Sequence, residues 1–114
     1  MKLNITVTED NIIKSQRHSK CACPIALATA AEAKRIADEE DASRAHMVYA
    51  SIDQTEGRVN IDGNAWSFVL PKTAQDFIAA RDRKESVSPF SFSATAARYT
   101  PPSQLDTMRL ARAV

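Results

Sequence analysis

The sequence predicts an α+β fold, with a small, mostly antiparallel sheet and two main helices packed on one face of that sheet. Two proline-opened segments have the apolar spacing of helices, and the segments between and around them alternate between polar and apolar residues. With 114 residues the chain is long enough to bury one core without disulfides. We predict a single domain over residues 1–98 and a C-terminal tail over residues 99–114.

The first segment is predicted to be a strand with one buried face, since its apolar residues alternate with polar ones. Thr8 ends this strand and is followed by two acidic residues, which is typical of a helix start. A short helix through Ile12 and Ile13 is therefore expected. The apolar positions of the strand are Leu3, Ile5 and Val7.

The main helix is predicted to begin at Pro24, whose φ angle is fixed at a helical value and which has no amide hydrogen to leave unpaired. The residues from Ile25 to Glu40 contain no glycine or proline and are rich in alanine. Such small side chains indicate close packing against a sheet. Four acidic residues at positions 38–41 are interpreted as a solvated helix end, with a cation or a basic partner as the alternative.

Three strands are predicted next, joined by turns at Thr55-Glu56-Gly57 and Asp62-Gly63-Asn64. Both glycines of the chain are thereby placed in turns, which excludes P-loop and Rossmann phosphate loops because these need several clustered glycines. The apolar positions of the strands are Val48, Ala50 and Ile52, then Val59 and Ile61, then Trp66, Phe68 and Leu70.

Pro71 is predicted to open the second main helix. A last strand is predicted over Val87–Ala94, where Pro89 indicates an edge position or a strand start. Residues of both segments are expected to face the core, namely Ala74, Phe77 and Ile78 in the helix and Phe90 and Phe92 in the strand.

The tail changes character after Tyr99. An extended break at Thr100-Pro101-Pro102 precedes a capping-box pattern that would start a small helix. This segment could dock on its own domain, bind a partner or another subunit, or stay without fixed structure. The candidate partner-binding residues are Leu105, Met108, Arg109 and Arg112.

Charge and hydropathy limit the function classes. The net charge is +1, so the total charge gives no reason to expect nucleic acid or an anionic membrane as a partner. The N-terminal residues alternate in polarity where a signal peptide would be continuously apolar. We expect a protein of the cytosol with reduced cysteines, because a disulfide between cysteines one residue apart is strained.

The sharpest candidate site is the polar loop that leads into the main helix. A helix start favours anions and lowers the pKa of a nearby thiol, so Cys23 is expected to be partly thiolate. A phosphate or carboxylate there would find both positive charge and hydroxyl donors. The simpler interpretation is a solvated basic loop with one packed cysteine. The candidate anion-binding residues are Lys14, Arg17, His18, Lys20 and Cys23.

Two histidines and two cysteines would make a complete zinc set, but the cysteines are one residue apart where zinc sites separate them by two to four. We therefore predict no metal and no cofactor. A zinc or redox module is the weaker alternative, and its ligands would be His18, Cys21, Cys23 and His46. No third group is placed to orient a cysteine–histidine pair, and no catalytic motif is present, so we predict that the protein is not an enzyme.

Three motifs carry a resemblance to a known group of proteins. They are Cys23-Pro24-Ile25-Ala26-Leu27-Ala28, then Leu70-Pro71 with Ala74 and Phe77-Ile78, then Val87-Ser88-Pro89-Phe90-Ser91-Phe92. Together they resemble a family of small uncharacterised proteins encoded by tailed bacteriophages and prophages, over residues 2–93. Arg81 stands where that family usually has an aromatic residue, and Lys84 where it usually has a glycine. The resemblance implies a phage origin and no particular chemistry.

These observations together predict a non-enzymatic binding protein. We expect an accessory factor in the host cytoplasm that acts on a host protein or defence system, with sequestration of a nucleotide-like anion as a close variant. The alternative is a component of the virion, docked through the tail. The expected partner is a host or phage protein, a second copy of the chain is compatible with the sequence, and neither a membrane nor nucleic acid is expected.

Overall fold

A computed structural model describes residues 1–15 and 22–99, which form an α+β fold of three helices and six strands. The helices are α1 (Glu9–Lys14), α2 (Pro24–Glu40) and α3 (Lys72–Asp82). The strands are β1 (Lys2–Val7), β2 (Val48–Ile52), β3 (Glu56–Ile61), β4 (Asn64–Val69), β5 (Phe90–Thr95) and β6 (Ala97–Arg98). No helix among these residues combines the length and the apolar composition needed to cross a bilayer.

The strands form two antiparallel sheets where the sequence predicted one. β1 pairs with β5, and the other sheet has the strand order β2-β3-β4-β6. β5 and β6 are consecutive segments separated only by Ala96, whose amide and carbonyl both bond to Met1 at 2.8 and 2.9 Å. The chain thus pairs with β1 up to Ala96 and with β4 beyond it, and this change of partner joins the two sheets.

The helix α2 packs against both sheets. The three apolar residues of β1 are fully buried, as their alternation predicted. Ala33 of α2 packs with Ala50 of β2 and Val59 of β3, which confirms the close contact that the alanine content indicated. A larger cluster joins the other end of α2 to α3 and both sheets, and its buried members include Leu3, Ile5, Ile25, Phe68, Leu70 and Phe77.

The helix starts follow the sequence signals with one small correction. Thr8 caps α1 in a capping box, in which Asn11 supplies the side chain that bonds back to the Thr8 amide. Pro24 is the first residue of α2, as predicted. Pro71 lies one residue before α3 and is its N-cap residue. The extended backbone and the missing N–H of proline suit this position as well as they suit the first helical position.

The last long strand is shorter than predicted. It begins at Phe90, after Pro89, because proline cannot donate to a sheet and therefore stands just outside it. Phe90 packs on Phe77 with ring centroids 4.8 Å apart, and on Phe92 at 5.7 Å. These contacts attach α3 to the β1–β5 sheet.

The two glycines have different roles, and the prediction that both lie in turns is wrong for one of them. Asp62 and Gly63 have φ angles of 52° and 89° and form the two-residue turn between β3 and β4, where positive φ favours glycine. Gly57 lies inside β3, opposite Phe68. A Cβ atom on Gly57 would stand 2.2 Å from Cζ of the Phe68 ring, so glycine is needed there for space.

A buried carboxylate connects α2 to β1. One oxygen of Glu32 accepts a hydrogen bond from the Asn4 amide at 2.7 Å, and the other accepts from Arg35 at 2.6 Å. Burial by itself would raise the pKa of Glu32, but these hydrogen bonds and the charge of Arg35 outweigh burial, and the pKa is lowered. Glu32 therefore stays ionised and satisfies an amide that points away from β5, the strand that pairs with β1 among the described residues.

We predict that Gly57→Ala lowers the free energy of unfolding by about 1–3 kcal/mol, because the new methyl group overlaps the Phe68 ring. Gly63→Ala is the matched control, since nothing lies within 4 Å of its Cβ and only its positive φ is penalised. Urea unfolding of each variant, alone and combined with Phe68→Leu, measures the coupling. Combined with Phe68→Leu, Gly57→Ala should lose less unfolding free energy than it does alone, whereas the loss caused by Gly63→Ala should stay the same. If Phe68→Leu changed both losses equally, the steric overlap would be contradicted.

We predict that Glu32→Ala lowers the free energy of unfolding by about 1–3 kcal/mol, because it leaves the Asn4 amide unpaired beside the core. Glu39→Ala removes a second carboxylate from the same Arg35, but at an exposed position, and should cost less than about 1 kcal/mol. Chemical unfolding would test this ranking. Equal losses for the two variants would show that the Asn4 contact contributes nothing.

Candidate functional site

The N-terminus of α2 is capped by the side chain of the residue that precedes it. Cys23 is the N-cap residue, and its Sγ accepts a hydrogen bond from the Ala26 amide at 3.3 Å. Pro24 contributes no N–H, so this contact satisfies one of the few amides that the helix start presents. Cys23 is a half-buried free thiol that packs against the larger core cluster.

The expectation that Cys23 is partly thiolate is wrong. Burial raises the pKa of the Cys23 thiol above its ordinary value, and the amides of Ala26 and Ile25 and the charge of Arg81 offset this only in part. The helix start does lower the pKa of the thiol, but removing the sulfur from water raises that pKa by more. Cys23 is therefore a protonated capping side chain at neutral pH.

The other members of the predicted anion set are not brought together within the described residues. Lys14 is exposed and pairs with Asp10 at 3.0 Å, one turn earlier on α1. Arg17, His18, Lys20 and Cys21 lie outside the residues that the structure describes, so an anion site built on them stays a prediction. The structure adds Arg81 of α3, which donates a hydrogen bond to Ser15 and whose charge acts on Cys23. No local pattern could have indicated this contact, because the two residues are 66 positions apart.

His46 lies in the loop between α2 and β2, with both ring nitrogens in contact with oxygens. Nδ1 is 2.7 Å from Oδ2 of Asp62, and Nε2 is 2.6 Å from the backbone carbonyl of Asp41. The side chain is only 4% exposed. A histidine that acts as a general base needs one nitrogen open to the substrate, and neither nitrogen of His46 is open. The pair His46–Asp62 therefore holds structure in place and does not form a catalytic dyad.

The same two contacts bear on the weaker zinc hypothesis. Binding a metal through His46 would require breaking one of its hydrogen bonds, because a ring nitrogen that donates has no lone pair left. Within residues 1–15 and 22–99, no three side chains of the metal-binding types are grouped closely enough to hold an ion. His18 and Cys21 of the proposed set lie outside these residues.

Asp62 is the centre of a small charged network. Its Oδ1 accepts from the Met47 amide at 2.9 Å, while Oδ2 accepts from His46 and, at 3.0 Å, from Nη2 of Arg44. The hydrogen bond from His46 makes the largest contribution to lowering the pKa of Asp62 to about 2. In turn, the hydrogen bond to Asp62 is the largest cause that raises the pKa of His46 above its ordinary value. Each group thus stabilises the charged form of the other.

An open groove of about 580 Å³ lies beside this network. The His46 loop lines one part, and Trp66 of β4 lies on the sheet side with Arg98 above its ring at 5.5 Å. The charges along the groove are mixed, with Lys2 and Arg44 opposite in sign to Glu40, Asp41 and Asp62. Such a balance favours no particular charged ligand.

The solvent side of the sheet β2-β3-β4-β6 is the remaining candidate surface, which we call the open face. Residues opposite each other in neighbouring strands share a face, and those on this side include Tyr49 and Ser51, Arg58 and Glu56, and Ser67 and Val69. Met47, the residue immediately before β2, continues the row. Met47, Tyr49 and Val69 are 77%, 60% and 76% exposed.

Comparisons with protein-family models, with curated proteins and with solved structures found no match to this chain.

We predict that the Cys23 thiol of the folded Cys21→Ser variant reacts with Ellman's reagent at pH 8 at least about 10-fold more slowly than the same chain unfolded in urea. Burial and the raised pKa both reduce the amount of exposed thiolate. The absorbance of the released thiolate gives the two rates. A folded rate equal to or above the unfolded rate would restore the reactive-thiolate hypothesis.

Proposed function

We propose that this chain is a non-enzymatic binding protein that recognises a partner protein through the open face. The phage origin that the sequence resemblance implies makes a host protein or defence factor the proposed target. A single observation carries the proposal, namely the exposure of Met47, Tyr49 and Val69 on one side of a sheet whose other side is closed by α2. These residues share one face without touching, since Tyr49 lies opposite Asn60 and Val69 opposite Glu56, four residues away along β3. A partner that buries all of them would cover most of the open face, and large exposed faces of this kind are where soluble proteins bind other proteins.

The residue types on the open face suit a protein partner. Tyrosine and methionine are both enriched in protein interfaces. Tyrosine buries a large contact area with few rotatable bonds, and the flexible side chain of methionine adapts to irregular surfaces. Tyr49 stands on β2 and Val69 on β4, with β3 between them. The apolar residues therefore stand at opposite ends of the open face, and a partner that contacts both would also cover the polar residues Ser51, Arg58 and Ser67 between them.

The charges of the open face also favour protein over nucleic acid. Arg58 of β3 lies over the Tyr99 ring at 5.7 Å and pairs with Glu56 at 3.2 Å. A surface that binds single strands combines aromatic platforms with several unpaired cations that follow the phosphates. Arg58 is already neutralised by its neighbour, so the described part of the open face presents aromatic area without net positive charge.

We predict that the double variant Tyr49→Ser/Val69→Thr captures at least about 10-fold less of the partner from bacterial lysate than the unchanged chain does, because central apolar contacts are worth about 1–3 kcal/mol each. The captured protein is identified and quantified by mass spectrometry against immobilised chain. Thermal unfolding of the variant confirms that it folds, which is expected since both side chains point into solvent.

Ile13→Ser is the matched control, because Ile13 is 72% exposed but lies on α1 and not on the open face. The proposal requires that Ile13→Ser captures the same protein as the unchanged chain at the same level. Equal loss in both variants would point to nonspecific hydrophobic capture, and equal capture by all three chains would place the partner site elsewhere. The role of the candidate tail residues stays a prediction, because they lie outside the described residues; they are Leu105, Met108, Arg109 and Arg112. A chain that ends at Tyr99, tested in the same capture assay, shows whether the tail is needed.

A further inference from the structure

His46 occupies a point where three parts of the chain meet. Asp41 is the C-cap residue of α2, Asp62 is the first central residue of the β3–β4 turn, and His46 itself precedes β2 by two residues. The ring connects the first of these to the second through its two nitrogens, at 2.6 and 2.7 Å. Because the ring is nearly inaccessible to water, no solvent molecule substitutes easily for either contact.

The two acceptors determine how many protons the imidazole ring needs in order to hydrogen-bond to both of them. A backbone carbonyl oxygen only accepts hydrogen bonds, and an ionised carboxylate likewise only accepts. A neutral imidazole has one N–H, so it would satisfy one contact and turn the lone pair of its other nitrogen towards an oxygen. The imidazolium form alone donates at both positions, so the protonated ring is the form that satisfies both contacts.

The charged groups around the ring come from every element packed against it. Asp62 approaches from the turn, and Arg44 from the loop contacts both Asp62 at 3.0 Å and the Asp41 carboxylate at 3.3 Å. Lys2 of β1 and Glu40 of α2 line the same groove. Arg44 opposes the proton on His46 through its charge alone, while Asp62 favours it through a direct hydrogen bond at 2.7 Å, so attraction prevails.

We propose that His46 is a proton-operated latch, which in its protonated form holds the loop of residues 41–46 against the β3–β4 turn through two hydrogen bonds, and which on losing the proton gives up one of them and loosens that loop beside the groove. The proposal does not depend on what binds the open face. It concerns the loop alone, because Met47 and Asp62 also pair through their backbones at 2.9 Å and keep β2 in register after release.

The direction of the pH effect follows from the folded and unfolded states of the same ring. The pKa of His46 is raised in the folded chain, so its contribution to stability is fully present below the unfolded value of about 6.5. That contribution is lost as the pH rises through the folded value. The latch therefore opens towards alkaline pH and closes towards acidic pH.

NMR on the full chain carrying His18→Gln, which leaves His46 as the one histidine, tests the latch directly. The imidazole nitrogen and carbon shifts give the titration midpoint and show whether both nitrogens are protonated below it. Hydrogen exchange of the amides of residues 43–46, corrected for intrinsic rates, reports loop opening. We expect a midpoint above about 6.5 and at least about a 10-fold increase in opening across it.

Asp62→Asn provides the decisive comparison, since asparagine followed by glycine suits this turn and keeps an acceptor for His46 without its charge. Opening should then move to lower pH by about one unit or more. Asp38→Asn, which removes a carboxylate paired with Lys34 on α2, should leave the midpoint unchanged. A midpoint at or below about 6.5, or exchange at residues 43–46 that does not follow the titration of His46, would overturn the proposal.

Discussion

The close contact between α2 and the inner side of the sheet is the constraint on which the rest of the structure depends. Ala33, Ala50 and Val59 are almost completely buried where these elements meet. Small side chains let the helix approach the strands closely, and that approach brings Glu32 within hydrogen-bond distance of the β1 backbone. It also places the end of α2 beside the β3–β4 turn, where His46 connects them. Since one side of the sheet is closed in this way, the loops and the opposite side are the parts of the described sheet that stay open to solvent.

Most of the fold could be predicted because its signals are local. Alternation in β1, the capping threonine before α1 and the proline at the start of α2 each act within a few residues. Gly57 shows where such local reasoning ends. Glycine is used both for positive φ and for close approach of another group, and only the position of the Phe68 ring, which belongs to the next strand, decides between them. The two-sheet arrangement was missed for a similar reason, since a change of strand partner at Ala96 leaves no pattern in the sequence.

The candidate sites were harder to predict because they depend on contacts between distant residues. His46 and Asp62 are 16 positions apart, Asn4 and Glu32 are 28 apart, and none of these pairs has a spacing that a motif would reveal. Cys23 illustrates a competition between two effects of known sign. Its position at a helix start was evident from Pro24, and the lowering of its pKa followed from that position. The degree of burial that reverses the outcome depends on packing against the core, which the sequence does not specify.

The two sides of the β2-β3-β4-β6 sheet differ in how many substitutions the fold tolerates. On the inner side, exchange of Ala33 or Ala50 for a larger residue would push the helix away from the strands, so few sequences are compatible with the fold there. On the outer side, Tyr49 and Val69 contact little of their own chain, and replacements cost within about 0.5 kcal/mol. The fold thus separates the residues that must be kept from those that are free to vary. Replacements can therefore accumulate on the outer side of the sheet while the packing of the interior stays the same.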